Sequence, residues 1–175
     1  DGWKAAPRPV NPKDWIQAMS LTAGQAVFEA RGEVFLLPTD AAKPAQNLTK
    51  TPGVRERMPR LSLDGKRVAY FSDASGDYDL YVQPVDGAAE RIPTGLKTAL
   101  YHLEWSPDGT KVLFGDKSFA LYVMDMATKK LTKVDESREL KNDQFTWEVS
   151  DYAWAPDSQW IAYSFVESNR NSRIR

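Results

Sequence analysis

The chain has 175 residues, a formal net charge of −1, 42% hydrophobic and 11% aromatic residues, one histidine and no cysteine. That length suffices for a sizeable core; the charge balance excludes a basic nucleic-acid footprint or an acidic tail, and the missing thiols exclude disulfides, thiolate metal sites and a cysteine nucleophile. No apolar run approaches the roughly 18 residues of a membrane span, and the start at Asp1, with no signal-like segment, is expected of a processed or excised piece.

Residues 1–14 carry Pro7, Pro9 and Pro12, which forbid a helix and a central strand alike. They are expected to form a linker or the end of a preceding domain. Residues 15–57 form a first unit, with strands over 17–20, 26–30, 34–37 and 45–49 and a tight turn at Arg31-Gly32-Glu33. Residues 58–100 form a second, with strands over 67–71, 78–84 and 90–93. Residues 101–149 form a third, with strands over 111–114, 120–125 and 131–134 and a turn over 115–118. Its charged segment 135–142 has room for one helical turn. Residues 150–175 form an incomplete fourth, with a strand over 160–165 and the chain reaching Arg175 where a third strand should start. The strands are rich in Val, Ile, Phe and Tyr without sustained 3.6-residue periodicity, as expected of strands buried on both faces.

One phrase punctuates these units. Trp105-Ser106-Pro107-Asp108-Gly109 ends a strand, turns, and leads into Val112-Leu113-Phe114. Proline presets φ, aspartate bonds its own backbone, and glycine accepts positive φ. The phrase recurs from Leu61 with Asp64-Gly65, from Trp154 with Asp157, and more faintly from Met19 with Ala23-Gly24. Aligned without a gap, its second position falls at Ser20, Ser62, Ser106 and Ala155, at intervals of 42, 44 and 49 residues. Asp64, Gly65, Asp108, Gly109 and Asp157 are therefore assigned to structural turns rather than to chemistry. Strand-like repeats with a period in the forties point to propeller blades. The expected fold is all-β: four-stranded antiparallel blades, about three and a half of them, forming part of a larger ring.

Four less generic stretches carry a resemblance. They are Phe28-Glu29-Ala30-Arg31-Gly32-Glu33-Val34-Phe35, the run from Asn47 to Arg57, the run from Ala69 to Val82, and the run from Glu167 to Arg175. Together they resemble the second, seven-bladed propeller of tricorn proteases and their bacterial relatives. The resemblance implies a non-catalytic segment of a large serine peptidase that cuts peptides into short products, with this propeller contributing a substrate access channel. It implies as partners peptide or unfolded polypeptide, the remaining blades and the catalytic domains of the same protein, and a homo-oligomeric parent. It leans to a periplasmic or exported protein, with the cytoplasm as the alternative. No catalytic residue is carried over, since the peptidase motifs have no counterpart here. Two other assignments share the generic repeats: a scaffold propeller of the Tol-associated type, and the propeller of a prolyl-oligopeptidase-like enzyme. Leu61 and Leu63 replace the usual Trp and Pro, and Leu21-Thr22-Ala23-Gly24 replaces Pro-Asp-Gly, so these two turns should be less rigidly preset.

Candidate site residues are few. A Ser–His–Asp triad would need His102, but no Gly-x-Ser-x-Gly elbow accompanies it, and a packing role is expected. Asp73, Asp77 and Asp79 share one turn and could offer oxygen ligands to Ca²⁺, although solvated loop aspartates bonding local backbone are the plainer reading. Arg31, Arg55 and Arg57 fall on connections that share one face of the blades, near Asp73 and Asp77. They are candidates for lining a substrate channel, where a guanidinium can hold a peptide carboxylate bidentately; pairing with Glu56 and the aspartates is the structural alternative. The tail from Asn169 to Arg173 is similar in kind. Trp105, Trp154, Trp160, Tyr70, Phe114 and Tyr163 are expected to pack between blades. No cofactor or metal is expected.

Overall fold

The computed structural model describes residues 15–38, 43–136, 152–166 and 172–174. These form fifteen strands in four antiparallel sheets, with no helix among the described residues. The first sheet is β1 (Ile16–Thr22), β2 (Gln25–Ala30), β3 (Glu33–Pro38) and β4 (Gln46–Asn47). The second is β5 (Glu56–Leu61), β6 (Arg67–Ser72), β7 (Asp79–Pro84) and β8 (Glu90–Ile92), and the third is β9 (Leu100–Trp105), β10 (Lys111–Asp116), β11 (Ala120–Asp125) and β12 (Leu131–Glu136). The fourth is β13 (Tyr152–Trp154), β14 (Ile161–Val166) and β15 (Ser172–Ile174). Strand order follows chain order in every sheet, the up-and-down arrangement of propeller blades. The expected linker over 1–14, the helical turn beyond Glu136 and the basic tail before Ser172 lie outside the described residues. The fourth blade goes further than the sequence suggests, because its third strand already pairs, Ser164 opposite Ile174.

Both faces of the central blades are buried. Val68, Ala69 and Phe71 are fully buried and Tyr70 nearly so, although successive side chains point to opposite faces. Val68, Tyr70 and Leu61 pack on Val27, Val34, Leu36 and Leu48 of the first blade. Ala69, Phe71, Leu80, Val82 and Ile92 pack on Leu100, Leu103, Val112 and Phe114 of the third. An aromatic pair bridges the second and third strands of each of these blades: Phe28–Phe35, Tyr70–Tyr81 and Phe114–Tyr122, with ring centres 5.4, 5.8 and 5.9 Å apart. The second and third pairs are pressed against the preceding blade, where Phe71 meets Phe114 edge-on at 5.5 Å. The first pair belongs to a face that no described sheet covers. Met19, Phe28 and Phe35 lie opposite one another there, as do Leu21, Ala26 and Leu37, and Met19 and Leu21 remain 65% exposed.

The recurring turn works through its serine. Ser106 is fully buried; its hydroxyl donates to Asp108 Oδ1 at 2.6 Å and accepts the Lys111 N–H at 2.9 Å, while Asp108 Oδ1 accepts the Thr110 N–H at 3.0 Å. Ser62, Asp64, Lys66 and Arg67 repeat the pattern at 2.6, 3.0 and 3.1 Å. The turn also ties each blade to the next. Gln25 donates to Gly65 O at 3.3 Å, Arg67 to Gly109 O at 2.7 Å with its guanidinium over the Trp105 ring, and Ser158 accepts the Asp108 N–H at 3.0 Å. Gly109 takes φ 67°, a conformation open to glycine without steric cost, and Ser158 holds the matching place in the fourth blade at φ 60°.

Two expectations change. The first copy of the phrase is not gapless: Ala23 and Gly24, both at positive φ, close a two-residue hairpin with Thr22 opposite Gln25. Such a primed turn matches strand twist, and it slides β1 by two residues so that Ser20 sits inside the ladder opposite Val27. The third blade's turn starts later than residue 115, because Gly115 and Asp116 pair with Tyr101 and Leu100 and the Asp116 carboxylate collects the Ser118 and Ala120 N–H groups. Trp160 is 72% exposed; it holds the place of Arg67 and Lys111, from which Arg67 reaches the following blade.

Two outcomes follow. Phe114→Ala should destabilise the chain by about 3–5 kcal/mol, the cost of truncating a fully buried phenylalanine, whereas Phe28→Ala should cost less than about half of that; equal shifts in urea midpoint would contradict an open first face. Hydrogen bonds from Ser106 and the Thr110 N–H hold Asp108 at about 2, below its ordinary 3.8. Its folded-state pKa being depressed, its stabilisation is full above about 4 and is lost as pH falls towards 2. The gap in unfolding midpoint between the wild type and Asp108→Asn should therefore close over that window.

Candidate functional site on the inner strands

The first strands of successive blades lie side by side, with β5 packed against both β1 and β9. Each is interrupted by a bulge. In β5 and β9 the bulge residues are Met58 and His102, both at φ 53°. A non-glycine residue there costs about 1 kcal/mol or more, and each N–H is taken up by the blade before. Met58 donates to the buried Glu29 carboxylate at 3.3 Å, and His102 donates to the Met58 sulfur at 3.2 Å.

The bulges place a row of rings and guanidinium groups on the half-buried side of these strands. Arg57 lies between two aromatic rings, its guanidinium carbon 5.8 Å from the Tyr78 centre and 5.6 Å from that of Tyr101. The row continues through His102, 6.4 Å from Tyr101 and 6.3 Å from Tyr152, whose hydroxyl donates to Tyr101 O at 3.4 Å. Arg31 stacks over Trp15 at 4.8 Å. Lower in the same wall, burial pushes the Glu104 carboxyl up, partly offset by the nearby charge of Arg60.

The arginine-bearing loops are stitched by backbone. Glu56 N–H donates to Gly32 O at 2.7 Å, Arg55 N–H donates to Asp73 Oδ1 at 2.8 Å, and Asp73 N–H returns to Arg55 O at 3.3 Å. Arg31, Arg55 and Asp73 thus share one face, with the Arg55 side chain exposed. Arg57 joins the aromatic row. The three carboxylates Asp73, Asp77 and Asp79 do separate work. Asp73 holds the Arg55 loop and Asp77 is exposed, while Asp79 is turned into the sheet, accepting from Thr94 N–H at 2.9 Å, Ser75 at 2.8 Å and Arg91 at 2.8 Å. Burial pushes Asp79 up, but those hydrogen bonds and the Arg91 charge hold it below the ordinary range. Among the described residues no group of three His, Cys, Asp or Glu side chains is placed to share a metal ion.

Reasoning from sequence alone missed Tyr78 and Tyr101 as partners of Arg57. Part of the signal was there: Arg57 and Tyr101 both stand five places before the turn serine, so the repeat stacks them on adjacent strands. The partnership of Tyr78 had no such signal, since it depends on how the second blade's turn folds back.

A family model described as the tricorn protease second beta propeller domain matches residues 17–175. Among curated proteins, tricorn protease homolog 1 of Streptomyces coelicolor is 31% identical over 165 residues, covering 89% of this chain and 15% of the relative. The tricorn protease homolog of Saccharolobus solfataricus is 24% identical over 177 residues, covering 100% of this chain and 15% of its own length. Among solved structures, the tricorn protease superposes with a TM-score of 0.74 at 20% identity, covering 92% of this chain and 15% of that one. TolB from Acinetobacter baumannii superposes at 0.65 with 18% identity, over 87% and 38%; identities this low speak to fold alone. The chain therefore spans about 15% of the length of these curated relatives.

The Arg57–Tyr101 contact should show a coupling of roughly 0.5–1 kcal/mol in a double-mutant cycle of Arg57→Ala and Tyr101→Leu. Arg57→Lys should lose part of it, because a compact ammonium does not stack as a planar guanidinium does. Additive unfolding free energies would show that the two side chains act independently.

Proposed function

The chain belongs to the family of tricorn protease second β-propeller domains, and from that premise we propose that it forms part of the wall past which a peptide-degrading serine protease draws its substrate. The observation that carries this reading is the inner-strand row of Arg57, Tyr101 and His102, with Arg31 and Arg55 on the adjoining loops. A guanidinium stacked on rings spends its face on the aromatics and keeps its N–H edge for a carboxylate. Rings beside it offer contacts that do not depend on sequence, as suits a passage for many peptides. His102 serves the wall as a bulge residue packed between tyrosines rather than as a general base. Cleavage falls to other domains of the parent protein, and further blades cover the open apolar face of the first.

A fluorescent extended peptide with a free C-terminal carboxylate should bind the chain more tightly than its C-terminal amide, as read by anisotropy. Arg55→Ala combined with Arg57→Ala should remove that preference. Equal binding of acid and amide, or a preference untouched by the double substitution, would sink the reading. So would turnover of a fluorogenic peptide by this chain that disappears in His102→Ala.

A further inference from the structure

We propose that the cleft between the first and second blades is a binding site for a primary ammonium group, separate from the inner-strand wall. The cleft has a volume of about 320 Å³. Its polar lining comes from Thr49 and Thr51 at the end of the first blade, Glu56 at the start of β5, Ser72 at the end of β6, Tyr70 and Tyr81, and Gln83, whose amide is bonded to Tyr70 and to the Leu48 and Gly87 carbonyls.

Glu56 is the reason to expect a cation. Its side chain is only 2% exposed. Oε1 accepts the Thr51 hydroxyl at 2.7 Å and lies 3.5 Å from the Ser72 hydroxyl. Oε2 is buried with no hydrogen-bond partner among the described residues. Among the described residues no lysine or arginine lines the cleft, and the other nearby carboxylate, Glu33, is engaged by Asn47. A buried carboxylate oxygen without a donor is costly, and the missing group is a donor that carries positive charge. Burial pushes the Glu56 carboxyl up against the pull of the Thr51, Thr49 and Ser72 hydroxyls, and Glu33 adds to the rise; an ammonium would relieve both.

Size and shape separate an organic cation from a metal. The volume is several times the roughly 30 Å³ of one water, and it stands at the lower end of small-ligand pockets. A calcium ion takes 6–8 oxygens, usually with several carboxylates among them, and among the described residues the lining supplies one carboxylate. Tyr70 and Tyr81, stacked at 5.8 Å, add aromatic surface that attracts a cation. From the carboxylate the cleft runs past Leu48 to Gly87, Ala88 and Ala89, of which the last three are exposed. Small residues at that end leave room for an alkyl stem to enter, as a lysine side chain lies along apolar surface.

Such a group comes either from a lysine side chain or from a chain's free amino terminus. The probes are Nα-acetyl-lysine amide, which carries only the side-chain ammonium, alaninamide, which carries only the α-ammonium, and Nα,Nε-diacetyl-lysine amide, which carries neither. Binding is followed by chemical-shift changes in the protein, with thermal melting as the check on folding. One or both charged probes should bind about tenfold or more tightly than the neutral one, the worth of a charge-assisted contact, and the one that does names the source. Glu56→Gln should remove that preference. Ala88→Trp, which blocks the entry and leaves the carboxylate alone, should abolish binding in a chain that melts as the wild type does. Absence of binding by both charged probes, equal binding of the neutral probe, or binding that survives Ala88→Trp would overturn the proposal.

Discussion

A four-stranded sheet with apolar side chains on both faces cannot be stable by itself, and this requirement sets the rest of the structure. Tyr70 and Phe71 are neighbours in sequence, yet one is buried against the first blade and the other against the third. The second blade is therefore core material for two others, and the sheets must follow one another around an axis rather than stack on a helix. The aromatic pair on the second and third strands sets the spacing between blades. Where no described sheet answers that pair, at Phe28 and Phe35, the apolar residues around it stay open.

The strands and the turn chemistry were legible in the sequence because both are local. Val, Ile, Phe and Tyr runs bounded by Ser-x-Asp-Gly state where a strand ends and how the chain reverses. What the turn does between blades was not legible. That Arg67 reaches the Gly109 carbonyl depends on the distance between sheets rather than on any residue pattern. The two-residue slide in β1 was hidden for a related reason: an ungapped match of residue types says nothing about which strand pairs opposite which. Of the candidate site, the arginines were visible as residues that break the repeat, but their ring partners lie across blade boundaries. The unfilled oxygen of Glu56 is visible only when every donor around it has been placed.

Two kinds of polar group emerge, and they behave differently. The turn aspartates Asp64 and Asp108 have their oxygens occupied by a serine hydroxyl and backbone N–H groups, and their acidity is raised accordingly. They lie exposed and hold geometry. Glu56 and Glu104 are held in the opposite direction by burial, and Glu56 lines the cleft rather than closing a turn. The strained backbone at Met58 and His102 sits with the second group. Strain persists where the neighbouring blade fixes it, here through a carboxylate and a thioether.

The bond from one turn to the next deserves a different description. Its acceptor is a main-chain carbonyl, Gly65 O or Gly109 O, and its donor is whatever long polar side chain leads the second strand of the preceding blade, glutamine in one case and arginine in the other. A main-chain acceptor does not depend on the sequence of the copy that offers it; the third joint is made differently, with the Asp108 N–H donating to the Ser158 hydroxyl. A blade that arises by duplication inside the gene arrives with the acceptor its predecessor needs, and it supplies a donor to its successor without any matching change in either. Copies joined through a main-chain acceptor can then drift apart in their loops while that bond is kept.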